Sequence, residues 1–145
     1  MAESQPATAE LRAAVLEVIG KPIYPFLLTQ TKADFPYSRP LICINEGFTI
    51  RMVTRAASRK MQHLARNPNA ALLWMDAPRS VLLQGRVAAL RGDDIIDDFY
   101  RRYLLKNPAR TRELAPGIER VILELTPIFC RADWFAGFTP VVIRF

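Results

Sequence analysis

Ser58, Arg59 and Lys60 open the stretch of this chain whose residue types and spacing best suit chemistry. They begin a helical pattern over residues 58–66, with Met61, Leu64 and Ala65 at the i, i+3, i+4 spacing of a buried stripe. Ser58 is placed as the N-cap, its hydroxyl able to accept from a first-turn N–H. Asn67-Pro68 ends the helix, because the residue before a proline is pushed out of the α region. Arg59 and Lys60 then sit at the positive end of the helix dipole, an end that prefers acids by about 0.3–1 kcal/mol per charge. Two cations there suit an anion held between them and the outward-pointing backbone amides, and a phosphate fits that description. The alternative, with both side chains simply in water, stays open at this level.

Other candidate chemistry is sparse. The single histidine, His63, lies within the same helix and reads as a surface or interface residue. Cys43 and Cys130 stand in apolar runs and read as buried small hydrophobes, and no Cys/His spacing resembles a zinc site, so no metal is expected. There is no nucleophile-elbow motif and no glycine-rich phosphate loop.

The elements that must position the Ser-Arg-Lys segment are mainly strands. A helix is expected over 8–19, stopped by Gly20, and strands over 24–31, 39–45 and 48–54, the last two joined by a turn at Glu46-Gly47. On the strand over 48–54, Phe48, Ile50, Met52 and Thr54 share the expected core face, opposite Thr49, Arg51, Val53 and Arg55. Residues 70–75 are apolar throughout and read as a strand covered on both faces. Residues 80–90 form a long strand with Gly85 inside it, a mark of a bulge, a barrel corner or a close approach. A helix over 93–105 follows the dipole rule, with Asp93 and Asp94 at its start and Arg101 and Arg102 near its end. The spacing offers Asp97–Arg101 and Asp98–Arg102 as pairs on a solvated face. Asn107-Pro108 stops that helix, and residues 109–114 can add a turn or two. Strands over 121–129 and 140–145 close the sequence, with an aromatic loop or strand end at 133–138 between them. The result is one α+β domain over 1–145, mainly β, with about six to seven short antiparallel strands and two to four helices. A closed sheet is the economical way to hide that many edges. Residues 1–7 read as disordered.

With 145 residues, half of them hydrophobic, the chain can bury a sizeable core. The net charge of +6 allows nucleic acid, an anionic membrane surface or a phosphorylated small molecule as partner. Charges of both signs are interspersed, and no recognised nucleic-acid module or alternation of aromatics with bases is present, so no nucleic acid is expected. The first residues do not form a signal peptide, and no apolar run reaches the about 18–20 residues a bilayer requires. A cytoplasmic protein without a membrane partner is expected.

The order of elements, with Ser58-Arg59-Lys60 and Asn67-Pro68, resembles the pyridoxamine 5′-phosphate oxidase-like family of FMN-binding split β-barrels, and its small general-stress-protein-like members above all. The resemblance runs over residues 23–91, through Pro36-Tyr-Ser-Arg39, Val53-Thr54 and the run from Ser80 to Gly85, and is weak beyond. It implies a homodimer with two FMN sites, each lined by both chains. Carried over, Arg39, Ser58, Arg59 and Lys60 hold the ribityl phosphate, and Val53 and Thr54 run along the ring through their backbone. Ser80 stands where relatives often place a flavin-meeting glutamine. Gln84 shares its strand face. Trp134 and Phe135 are candidates for packing near the partner's ring, or for filling the core. Two positions depart from the oxidases proper: Ile44 replaces a lysine used for substrate phosphate, and Arg55 replaces an asparagine. The resemblance thus implies a retained cofactor site and a lost vitamin B6 substrate site.

The function this implies is an FMN-dependent oxidoreductase using NAD(P)H or another donor on an unknown small substrate. A flavin carries hydride chemistry itself, which fits a chain with no catalytic acid or base in view. The alternatives are a non-catalytic dimer that binds or senses flavin or haem, and a reductase that uses the deazaflavin F420.

Overall fold

The computed structural model describes residues 4–112, 117–134 and 139–145. A first short strand, β1 (Gln5–Pro6), precedes helix α1 (Ala9–Ile19), whose N-cap Thr8 accepts the Leu11 N–H at 3.2 Å. Then come β2 (Phe26–Thr29), β3 (Tyr37–Pro40), β4 (Cys43–Glu46) and β5 (Thr49–Arg55). Helix α2 (Arg59–Arg66) leads into the hairpin of β6 (Asn69–Asp76) and β7 (Arg79–Leu90). Helix α3 (Asp93–Lys106), β8 (Arg120–Trp134) and β9 (Val141–Arg144) complete the described elements.

The nine strands form one sheet, and β8 explains its shape. Along one flank the whole of β8 pairs with β7. Along the other it pairs first with β5, over residues 120–125, and then with β9, over residues 129–132. The sheet therefore divides around β8 into two leaves, the arrangement of a split barrel. It does not close as expected. β3 and β4 are consecutive but unpaired among the described residues. The expected strand over 39–45 breaks at Leu41 and Ile42, just after Pro40, which has no N–H for a ladder, and the Leu41 N–H turns to the Pro25 carbonyl at 3.1 Å. That break, with β1, takes the strand count above the expected range. Within the stretch 1–7 read as disordered, Gln5 and Pro6 form β1. Gln5–Pro6 runs parallel to β9, held by Gln5 N–H to the Pro140 carbonyl and Gln5 Nε2 to the Thr139 carbonyl, each at 2.8 Å.

The core lies in two parts. Ile50 and Met52 of β5, Leu72 and Trp74 of β6, Val81 and Leu83 of β7 and Leu123 and Leu125 of β8 pack with Val15, Val18 and Ile19 of α1. On the opposite face of the β4–β5–β8 leaf, Phe99, Tyr100 and Tyr103 of α3 cover Ile44, Val53 and Ile122. The alternation read for β5 is thus observed at Ile50 and Met52, in the main core, and at Val53, beneath α3, while Thr54 is buried but lines a cleft. β6 is covered on one face only, because Leu73 is half-buried and Met75 is exposed in the single chain. Gly85 marks a bulge, where the β7–β8 register shifts between Gln84 and Gly85. A Cβ there would lie 2.2 Å from the Thr126 carbonyl oxygen, so only glycine lets the two backbones approach this closely. On α3, Asp98 meets both Arg102 at 3.0 Å and Arg101 at 2.6 Å, while Asp97 reaches Arg112 at 2.7 Å instead of the expected Arg101. Residues 113–114 and 135–138, which carry part of the expected turn and most of the aromatic loop, lie outside the described residues.

Candidate functional site

A cleft of about 780 Å³ opens where the end of β5, the start of α2, β3 and α3 meet. Six of the sequence-derived candidates line it: Arg39, Val53, Thr54, Ser58, Arg59 and Lys60. The volume lies in the range of small-molecule and cofactor sites. The end of β5 contributes more than side chains. Its pairing with β4 stops at Met52, opposite Cys43, while its pairing with β8 continues to Arg55. Val53, Thr54 and Arg55 therefore keep one backbone edge unpaired by any described strand, beside the cleft. Such an edge offers N–H and C=O groups to a flat, polar-edged ring.

The charge in the cleft is one-sided. Arg39, Arg55, Arg59, Lys60, Arg110 and Arg120 line it, and among the described residues no carboxylate does. Lys60 is buried with 8% exposure and has no acidic partner among the described residues. Its burial lowers the ammonium pKa below the usual 10.5, and the charges of Arg39 and Arg55 lower it further. A buried cation beside two others is costly unless an anion answers it. Arg59 is partly steadied by the Tyr37 ring, 5.8 Å from its guanidinium, and by the carboxylate of Asp34.

The start of α2 is left open for such an anion. Ser58 is the N-cap in backbone conformation, but its side chain makes no capping bond. Its hydroxyl pairs with that of Thr54 at 3.4 Å instead, so the expected cap interaction is absent. The helix also turns a different stripe inward from the one expected. Lys60, His63 and Leu64 are buried, Met61 is half-buried and Ala65 is exposed. The difference arises because polar groups hold this face. His63 Nδ1 meets Thr29 Oγ1 at 3.0 Å, and Nε2 meets Asp34 Oδ2 at 3.2 Å. His63 is therefore a buried clasp between α2, β2 and the β2–β3 loop, which corrects the surface half of the surface-or-interface expectation. Its hydrogen bond is the main reason the Asp34 carboxyl is held below its ordinary range. Both cysteines are kept as thiols by burial, which pushes each pKa up to about 12.

Three sequence candidates lie elsewhere in the single chain. Ser80 and Gln84 share the outer face of β7, as alternation requires, with Ser80 half-buried and Gln84 exposed. Gln84 lines a second cleft of about 530 Å³ with Thr29, Asn67 and Ile128. Trp134 ends β8 opposite Arg79, whose guanidinium lies 5.8 Å from its ring. Phe135 is outside the described residues. Conversely, Tyr37, Arg110 and Arg120 line the first cleft without having been singled out. Tyr37 stood two residues before the candidate Arg39, a strand-face spacing that could have flagged it. Arg110 and Arg120 are brought there only by tertiary packing.

Comparison with known proteins identifies the family and the fold. The family model described as "Pyridoxamine 5'-phosphate oxidase" matches residues 11–129. No curated protein matches in sequence. Among solved structures, the General Stress Protein 26 of Bacillus anthracis str. Sterne superimposes with a TM-score of 0.73 at 18% identity, covering 94% of this chain and 99% of that one. A pyridoxamine 5′-phosphate oxidase-related, FMN-binding protein of Nostoc punctiforme gives 0.63 at 16% identity, over 92% and 89% of the two chains. Two more share the fold and are named for other cofactors. An F420 reductase gives 0.67 at 20% identity, over 79% and 93%. A haem-binding protein of Mycobacterium smegmatis gives 0.71 at 16% identity, over 97% and 59%. At these identities the solved structures establish the split-barrel fold.

Proposed function

Because the chain belongs to the pyridoxamine 5′-phosphate oxidase family, we propose that it is an FMN-binding oxidoreductase acting on a small substrate, with NAD(P)H or another small reductant as donor. One observation carries this reading: the buried, acid-free Lys60 at the uncapped start of α2, flanked by Arg39 and Arg59. In it, Arg39, Arg59, Lys60 and the Ser58 hydroxyl hold the flavin's phosphate, and the free β5 edge at Val53-Thr54 meets the ring. The bound flavin supplies hydride transfer, and the protein supplies orientation and charge. Ile44 supports loss of a vitamin B6 substrate site, because its apolar side chain packs in the cluster beneath α3 and offers a substrate phosphate no charge.

The proposal includes a homodimer. Ser80, Gln84 and Trp134 lie outside the cleft of their own chain, and a second copy can bring them to it. Exposed Phe26, Met75 and Ile128 give the strands apolar surface that such a copy would cover.

The same phosphate cradle would serve the deazaflavin F420, a reading favoured by the reductase neighbour. Haem is less well supported, because both ring nitrogens of the single histidine are engaged. Absorption spectra before and after incubation with FMN, followed by gel filtration, test the reading. Retained flavin bands at a dimer's elution volume are expected, and a protein that stays colourless overturns it. Anaerobic mixing with NADH or NADPH separates an enzyme, which bleaches, from a flavin store or sensor, which does not. A Soret band would instead establish haem.

A further inference from the structure

Among the described residues, the cleft holds more positive charge than one phosphate monoester requires. Such a group carries about two negative charges, which Arg39, Arg59 and Lys60 already balance. Arg55, Arg110 and Arg120 remain. Arg55 and Arg120 are directly opposed residues at the ends of β5 and β8. Opposed residues on antiparallel strands project to the same face, and like charges placed so destabilise the sheet. The acid nearest in sequence does not relieve them, since Glu119 bonds to Arg91 at 3.0 Å. Among the described residues, neither Arg55 nor Arg120 has a carboxylate partner, and Arg110 lies over the Tyr24 ring at 5.3 Å. Because Arg55 also acts on the Lys60 ammonium, this group is continuous with the first site.

We propose that Arg55, Arg110 and Arg120 form a second oxyanion subsite, which takes a phosphate or carboxylate carried beyond the first phosphate. The proposal rests on the reading of the α2 start as a phosphate site. The second oxyanion has two sources, a longer cofactor such as a flavin dinucleotide, or a separate anionic co-substrate bound beside the flavin. Guanidinium forks suit either group, because they bind planar oxyanions through paired N–H bonds.

Calorimetric titration with orthophosphate and pyrophosphate tests this on the wild-type protein and on the double variant Arg55→Ser, Arg120→Ser. Pyrophosphate is expected to bind the wild type at least about tenfold more tightly, the effect of one added charge-assisted contact. The double variant is expected to lose that advantage while its orthophosphate affinity changes by less than about threefold. Tighter binding of FAD than FMN, lost in the variant, assigns the second oxyanion to the cofactor. Tighter binding of NADPH than NADH to the FMN-loaded protein, lost in the variant, assigns it to a co-substrate. Equal affinities for the two phosphates in the wild type overturn the proposal, as does an undiminished pyrophosphate advantage in the variant. A melting temperature that rises in the ligand-free variant supports it, because an opposed like-charge pair has been removed, and one that falls counts against it. If FMN is not retained while the pyrophosphate advantage persists, the FMN reading fails and the subsite stands.

Discussion

Two helices of this protein begin in opposite ways. α3 starts with Asp93 and Asp94 at its positive end and finishes with a lysine, and its acidic face is answered by Arg101, Arg102 and Arg112. Neither helix has a side-chain cap bond, but α2 starts with Arg59 and Lys60 and buries the lysine among arginines. The first helix is complete as it stands, whereas the second makes electrostatic sense only with an anion at its start. Local rules hold where a segment serves the fold and fail at the segment proposed to serve a ligand.

The largest effect that can break this contrast is on binding. Arg59→Ala combined with Lys60→Ala should weaken FMN by about 3–6 kcal/mol, at 1.5–3 for each charge-assisted bond. Riboflavin, which lacks the phosphate, should be unaffected. FMN fluorescence quenching measures both, and an unchanged FMN affinity would place the phosphate elsewhere. A second comparison concerns stability and its sign. Lys60→Met should stabilise the ligand-free protein by on the order of 1 kcal/mol, since it replaces an unanswered buried charge with an apolar chain. Asp93→Asn with Asp94→Asn should instead destabilise it by about 0.6–2 kcal/mol, at 0.3–1 per charge, and leave FMN binding intact. Urea denaturation of both variants reads these signs, and a shared sign would remove the distinction between the two helix starts.

The smallest effect is in the pH dependence. The folded state holds the Lys60 pKa below 10.5, so the unfolded chain binds more protons across the window just under that value. Lys60 therefore contributes stability that rises with pH through this window. The advantage of Lys60→Met over the wild type should shrink as pH climbs toward 10.5, and saturating phosphate should erase the difference in slope. Parallel stability curves would show that Lys60 is not desolvated in solution.

Much of the scaffold could be read from residue patterns because its signals were local. Thr8 and Gly20 bounded α1, Glu46-Gly47 turned β4 into β5, and the interior Gly85 announced a bulge whose cause is the Thr126 carbonyl. The cations at the α2 start, on which the phosphate proposal rests, were equally local. What escaped depends on distant partners. The buried stripe of α2 shifted because His63 reaches Thr29 and Asp34, residues far away in sequence. The gap between β3 and β4 follows from the Leu41 N–H finding Pro25, and the opposed Arg55–Arg120 pair of the cleft arises from a β5–β8 register that no single segment encodes.

β8 also has a consequence for the order in which the protein can be built. The β6–β7 hairpin is local and can form as soon as its turn has left the ribosome. β5 cannot complete its pairing then, because its long partner β8 is synthesised only after α2, the hairpin and α3. Until Arg120 and the residues after it emerge, the nascent chain holds an extended strand with an open edge, guarded only by the charges of Arg51 and Arg55. The arrival of one late strand then joins the β5 leaf to the β6–β7 hairpin, so the two leaves can meet only late in translation.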